Sequence, residues 1–382
     1  LLLEIVEMKK LFFYANFRTY DEKVGITRKV REQIQAFRKL GYEVFYSGYL
    51  KNGVAIFNNK DEIIEEKKYL FKNEILNHIF RRYLLLILCF NFISRTKINF
   101  TVSYLRYHFF DMFYIKLLKE LNRKKTQVII EAHSYPVFTK NNYFNIFYIL
   151  DKFYSRKVYK YCDLIAAMNN YKKIWGISTY EIENTLNIEK YSLKNYKKLQ
   201  DKFILINVAF ENKTHGLDRI INGLDTYYKN NPEIMIEIIL IGEYSKKTIN
   251  LVKKLDLLKY VHFVGKKTKE EIDEYMNKAH FAIGSLGNHR ANSFYGSALK
   301  TKEYMARGIP FVYGWNEKIL KDFPFALKVP LNEEKINLEE VLKFYRKIDN
   351  EKLPQDIREY LLKNNCSWEE QFKNILFYKE NK

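Results

Sequence analysis

The chain has 382 residues and only three cysteines. Cys89, Cys162 and Cys366 lie far apart and follow no CxxC spacing. That argues against a cysteine zinc site or a disulfide framework and suits a reducing compartment. Long apolar runs are also missing. The greasiest segment, YLLLILCFNFI from Tyr83 to Ile93, falls well short of the roughly 20 residues that span a bilayer. No GxGxxG follows a strand-like run, which makes a hydride-transferring dinucleotide enzyme remote. No helix-turn-helix, zinc-finger or RNP-like aromatic pattern supports a nucleic-acid-binding protein. There is no initiator Met. Met8, followed by Lys9-Lys10 and an apolar strand, reads as the start, with residues 1–7 as upstream extension. Neither start gives a signal peptide, because charges interrupt the apolar run too soon.

What the chain does have is positive charge and aromatic rings. Lys and Arg number 65 against 45 Asp and Glu, a formal net charge of +20. Such an excess calls for an anionic partner, and nucleic acid, an anionic membrane and phosphorylated substrates are all eligible. A hydrophobic content of 47% with 31 Tyr and 29 Phe excludes disorder. The length suits two cores better than one.

Short β-rich runs alternate with helical ones almost throughout: KLFFYANF, YEVFYSGYL, FTVSYLRY, TQVIIEAH and DLIAAM, then KFILINVAF, MIEIILIG, VHFVG, HFAIGSL and PFVYG. Near-continuous apolar strands joined by helices predict parallel sheets covered on both faces. The pattern restarts after the polar stretch YSLKNYKKLQD, so two domains are expected, 8–190 and 191–382, the latter ending in a purely helical segment. The expected class is α/β: two Rossmann-like domains with parallel sheets facing a central cleft, where ligands bind beyond the strand ends.

The stretch SALKTKEYMARGIP, Ser297 to Pro310, places Lys300, Lys302 and Arg307 around Glu303 on one short helix. At 100° per residue Glu303, Arg307, Lys300, Tyr304 and Ser297 share a face, and Lys302 interrupts the apolar side. Ser297 is a good N-cap and Gly308 a good C′ residue. The preceding loop holds His289, Arg290 and Gly296. A cationic loop leading into a helix N-terminus suits an anion, and Glu303 suits a diol such as ribose. A solvated surface helix with a Lys300–Glu303 pair explains the pattern equally well.

This stretch resembles the donor-site helix of the GT-B glycosyltransferases of family 4, in the variant S-x-L-K-x-x-E-Y-M-A-x-G-x-P. The resemblance implies that Glu303 binds the ribose of a nucleotide-sugar donor. Ser297, Lys300 and the loop before them would hold its diphosphate. GITRKVREQIQAFRKLGYEV is similar to the family's first loop and helix, with Gly25 approaching the donor phosphates. QVIIEAHSYP is similar to the strand ending in His, which puts His133 at the donor sugar in a catalytic role. NVAFENKTHGLDRII resembles the segment where basic groups neutralise pyrophosphate, here Lys213 and His215. Ala209-Phe210 stands where the family's usual Arg follows the strand, and the resemblance leaves Arg290 as the candidate to supply that charge. ENTLNIEKY is similar to the turn at the domain junction, with Asn184 and Asn187 matching. The family's first carboxylate of the E-x7-E pair is Tyr295 here, which leaves the donor sugar open.

The resemblance implies a hexosyltransferase that moves a sugar from a nucleotide diphosphate sugar to an acceptor hydroxyl, with retention. No metal or other cofactor is expected, because no DxD pair lies where one would serve. The expected partners are a nucleotide sugar, an acceptor glycan or lipid-linked glycan, and an anionic membrane, but no nucleic acid. The expected location is cytoplasmic, at the inner face of the cell membrane, in bacterial surface polysaccharide or glycoconjugate synthesis. Tyr295 and the missing Arg also fit a catalytically silent partner subunit of the same fold. The segment from Lys67 to Leu88, with Lys67, Lys68, Lys72, Arg81 and Arg82, is read either as a bilayer-facing element or as an ordinary covering helix.

Overall fold

The computed structural model describes residues 8–21, 24–71, 73–133, 135, 146–365 and 367–378. Residues 1–7, Lys72 and Cys366, each discussed above, lie outside the described residues. The chain divides into two compact units. One comprises the chain to Glu183 together with the segment after Asn365, and the other is Asn184–Asn365.

In the first unit the strands are β1 (Lys10–Tyr14), β2 (Glu43–Tyr49), β3 (Gly53–Phe57), β4 (Ile63–Lys68), β5 (Val102–Arg106), β6 (Gln127–Ala132), β7 (Leu164–Ala167), β8 (Lys173–Ile174) and β9 (Ile177–Glu181). They form one sheet in the order β4-β3-β2-β1-β5-β6-β7-β9-β8. The centre is parallel, and β3, β4 and β8 are antiparallel additions at the edges. Alternation along β1 sends Leu11 and Phe13 into one core and Phe12 and Tyr14 into another. Both faces of the sheet are therefore covered, as near-continuous apolar strands require. The helices are α1 (Gly25–Lys39), α2 (Glu74–Arg95), α3 (Met112–Arg123) and α4 (Ile146–Ser155).

The second unit holds β10 (Lys202–Phe210), β11 (Met235–Glu243), β12 (Val261–Gly265), β13 (Phe281–Ile283), β14 (Phe311–Tyr313) and β15 (Ala326–Lys328). All pairs are parallel, in the order β12-β11-β10-β13-β14-β15. Its helices are α5 (Leu217–Lys229), α6 (Lys246–Lys254), α7 (Lys269–Lys278), α8 (Leu299–Arg307), α9 (Leu338–Ile348) and α10 (Leu353–Asn364). The strand order reverses between β10 and β13. Loops leaving the carboxyl ends of those two neighbours enclose the crevice where open α/β sheets bind ligands.

Two expectations from the pattern need correction. The last helix, α11 (Trp368–Phe377), belongs to the first unit, not the second. Phe372 stacks on Phe37 of α1 with ring centres 4.0 Å apart, and Trp368, Phe372 and Ile375 complete that unit's core. Arg82 is no surface cation either. It is buried against Asp111, the N-cap of α3, and donates to the Phe109 carbonyl at 2.6 Å. Cys89 and Cys162 are buried free thiols, and burial pushes the Cys89 thiol up to about 12. No helix among the described residues is long and apolar enough to cross a membrane.

Candidate functional site

Helix α8 starts one residue later than the Ser297 cap predicts. Its N-cap is Ala298, with no side-chain cap. The reason is a competing network. Ser297 Oγ accepts from Lys302 Nζ at 2.9 Å and from the Asn184 amide at 3.0 Å. Lys302 Nζ also reaches Glu317 Oε1 at 2.8 Å, and Glu317 accepts from the Ala298 amide at 3.2 Å. Lys302 thus sits on the apolar face because its counter-ion is buried there with it. Asn184 Nδ2 donates to the Ser297 carbonyl, and Asn187 Oδ1 accepts from the Glu189 amide at 3.1 Å. At the other end Gly308 takes the left-handed conformation, φ 72°, and closes the helix with a bond to the Met305 carbonyl.

The other cations of the motif take different positions. Arg307 is buried, with Nε 2.8 Å from Asp273 Oδ1 and its guanidinium 4.6 Å over the Tyr191 ring. Tyr304, grouped above with Glu303, turns inward, and its hydroxyl donates to the Ile283 carbonyl at 3.1 Å. Glu303 remains partly exposed, accepts from the Tyr191 hydroxyl at 3.3 Å, and lies 3.9 Å from Arg307. Lys300 Nζ is buried with no hydrogen-bond partner among the described residues. Burial pulls its ammonium down to about 8, against the opposing pull of Glu303.

The loop after β10 meets the loop after β13 backbone to backbone. Gly216 has φ 60°, and a Cβ there would lie 2.8 Å from the Gly287 nitrogen. A Cβ on Gly287 would lie 2.8 Å from the Lys213 carbonyl oxygen. Only paired glycines permit this approach. The Leu286 amide donates to the His215 carbonyl and the Gly287 amide to that of Thr214. His215 is buried, and its Nδ1 accepts from the Asn212 amide at 3.3 Å, which assigns the proton to Nε2. Burial, then the Lys300 charge, pushes this imidazole down to about 3. It is a neutral hydrogen-bond donor rather than a cation. Lys213 is exposed in the same loop.

Arg290 is committed. Its two terminal nitrogens reach Asp218 at 2.7 and 2.8 Å, and its Nε reaches Glu333 at 2.9 Å. A phosphate here would share a guanidinium already held by two carboxylates. Tyr295 is exposed, and its neighbours Phe294 and Gly296 exchange backbone bonds with Asn316.

In the first unit Gly25 opens α1, and a Cβ there would meet nothing within 4 Å. Packing of the chain therefore does not demand this glycine. Four residues on, Lys29 Nζ pairs with the fully buried Glu131 of β6 at 2.9 Å. Gln33 and Tyr104 complete the carboxylate at 2.9 and 3.1 Å, and Arg106 lies 3.6 Å away. His133 follows β6 directly. Its Nδ1 is buried and without a partner among the described residues, and burial, then Arg106, pushes its imidazole down to about 3. Sequence reasoning missed Glu131, Lys29, Glu317 and Tyr191. A charge inside an apolar run, VIIEA, was the available signal for Glu131.

Residues 189–321 match the family described as glycosyl transferases group 1. No curated protein sequence matches the chain. Among solved structures, a glycosyltransferase from Rickettsia africae is similar over 97% of this chain and 98% of its own, at 12% identity and a TM-score of 0.67. Sucrose-phosphate synthase from Thermosynechococcus elongatus covers 97% and 98%, at 13% identity and a TM-score of 0.62. The lipopolysaccharide outer core galactosyltransferase WaaB covers 97% and 99%, at 13% identity and a TM-score of 0.58. The fold is GT-B, and the group 1 segment makes the chain a glycosyl-transferring enzyme.

Proposed function

We propose that the chain transfers a sugar from a nucleotide diphosphate sugar to an acceptor hydroxyl, with retention of anomeric configuration and no metal. The observation that carries this reading is the buried, unpartnered Lys300 ammonium at the start of the helix that also bears Glu303. Both stand at the strand-order reversal of the second unit. In this reading Glu303, oriented by Tyr191, accepts from the ribose hydroxyls. Lys300, the neutral His215 N–H, Lys213 and the first amides of α8 take the diphosphate.

Departure of a nucleoside diphosphate leaves negative charge on phosphate oxygens, and preorganised donors lower that barrier most. Lys300 suits the task because, buried and without a carboxylate hydrogen-bonded to it, it gains most from an arriving anion. The family resemblance assigns Gly25 to the donor phosphates and His133 to the transferring sugar. Ser297 contributes indirectly, by holding the buried network under α8, and Arg290 by bracing the loop. The reading extends to the acceptor class, a glycan or lipid-linked glycan, and to the product class, a bacterial surface polysaccharide or glycoconjugate made on the cytoplasmic side.

Thermal shifts of the full chain with UDP-, GDP-, ADP- and dTDP-sugars test the reading. One nucleotide class should stabilise the protein, and Glu303→Ala should weaken its binding by roughly 1–3 kcal/mol, the cost of unpaired ribose hydroxyls. Equal binding by Glu303→Ala, or no shift with any sugar nucleotide, would overturn it.

A further inference from the structure

Helix α4 is apolar, yet among its residues only Ser155 is buried. Ile146, Ile149 and Phe153 are 59%, 51% and 53% exposed. Their spacing, i, i+3 and i+7, puts them on one face of the helix. A soluble helix normally turns such a face to the core, because leaving it in water forfeits its main source of stability.

The charge around this face has one sign. Lys152, Arg156, Lys157 and Lys160 are all exposed. The only acid of the segment, Asp151, is turned inward, accepting from the Tyr107 hydroxyl at 2.9 Å and the Phe110 amide at 2.7 Å. Lys157 Nζ lies 4.6 Å from the Phe153 ring centre, an ammonium resting beside the apolar face. The surface continues toward α2. Phe147 is 5.1 Å from Phe109, whose ring carries the Arg82 guanidinium at 3.8 Å. The first turns of α2 expose Ile75, Leu76 and Phe80 in turn.

We infer that α4 lies in the interface of an anionic bilayer, its Ile146–Ile149–Phe153 face among the acyl chains and its cations at the headgroups. An apolar stripe flanked by Lys and Arg fits a plane that is greasy within and negative at its rim. A second copy of this chain fits poorly, since it would set the same four cations against each other. The element departs from the one expected by sequence. Of the two arginines assigned to the bilayer there, Arg82 is spent on Asp111, and the cations that serve are those of α4 and its C-terminal flank. The inference stands on the first unit alone and does not rest on the donor reading.

Co-sedimentation of the full chain with vesicles tests it, using phosphatidylcholine alone and phosphatidylcholine with phosphatidylglycerol. Binding should require the anionic lipid and fade with salt. Lys157→Gln and Lys160→Gln should each weaken it about fivefold, the equivalent of about 1 kcal/mol per cation. Ile149→Glu with Phe153→Glu should abolish it while the melting temperature and any nucleotide-sugar shift stay unchanged. Because these side chains are exposed, the double variant should fold. Equal binding to both vesicles, or wild-type binding by the double variant, would overturn the inference. So would a wild-type dimer that ignores vesicles and becomes monomeric in the double variant, which would assign the face to a second copy.

Discussion

Lys302 and Glu317 form an ion pair of 2.8 Å with side chains 1% and 0% exposed, directly beneath the helix that carries Glu303. The pair joins α8 to the segment after β14 and draws Ser297 and the Ala298 amide into the same network. Its role is to fix where α8 begins. Lys302→Met leaves the Glu317 carboxylate buried without its cation and should cost about 3–5 kcal/mol in urea unfolding. Adding Glu317→Leu should recover part of that loss, since no charge then remains buried. A harmless single substitution would show that the pair does not hold the helix.

Lys300 gives donor binding a pH signature. Its ammonium titrates near 8 in the unliganded protein, and a bound diphosphate favours the charged form, raising that value. Affinity should therefore be flat below about pH 8 and fall above it, by up to about tenfold per pH unit. Lys300→Met should weaken binding and flatten the profile. Calorimetric titrations from pH 6.5 to 9.5, about the range that brackets the transition, check both; a flat wild-type profile would remove Lys300 from the site.

His133 is held near 3 by burial and Arg106, so it stays neutral at any working pH, and the role proposed for it is that of a hydrogen-bonding group. His133→Ala should keep the melting temperature and lose about tenfold in turnover, the value of one hydrogen bond of about 1.4 kcal/mol. The acid limb of the pH–rate profile should not change. Unaltered turnover, or collapse of the fold, would return His133 to a structural role.

The second unit should be acid-sensitive through two histidines. Burial pushes His215 down to about 3 and His280 to about 4, from an ordinary 6.5. Between 6.5 and these values the unfolded chain binds protons that the folded chain refuses. Stability is complete above the unfolded value and falls as pH drops through that window, by about 1.4 kcal/mol per pH unit for each group. His280 Nδ1 accepts from the Ile204 amide at 3.1 Å, so His280→Asn keeps an acceptor near that atom and removes the titration. Denaturation midpoints at pH 7 and 5 should separate less in that variant than in the wild type.

Much of the fold was legible because its logic is local. Apolar strands such as KFILINVAF and MIEIILIG announce a covered parallel sheet, and β10 and β11 pair in parallel along their whole length. The charges were not legible. Periodicity places Lys302 on the core side of α8, yet its counter-ion comes fifteen residues later, across a strand, and a helical wheel cannot supply it. Arg82 resembles Arg81 in sequence, but Asp111, which decides its fate, belongs to another helix cap. Ser297 satisfies every rule for an N-cap and is taken by a stronger partner. The edge strand β4, IIEEKK, is exposed at every residue but Glu65 and lacks the apolar alternation that identifies a strand.

The stacking of Phe372 on Phe37 also bears on how the protein is made. The first unit's core includes Trp368, Phe372 and Ile375, so its final pieces leave the ribosome after the whole second unit has been synthesised. Domains generally fold in order of emergence during translation, but here the earlier one must wait with Phe37 of α1 and Tyr104 of β5 lacking the Phe372 ring that packs on them. Nascent chains stalled after Asn365 should expose that surface to chaperones, and a stop at the same point would unmake the unit at the opposite end of the gene.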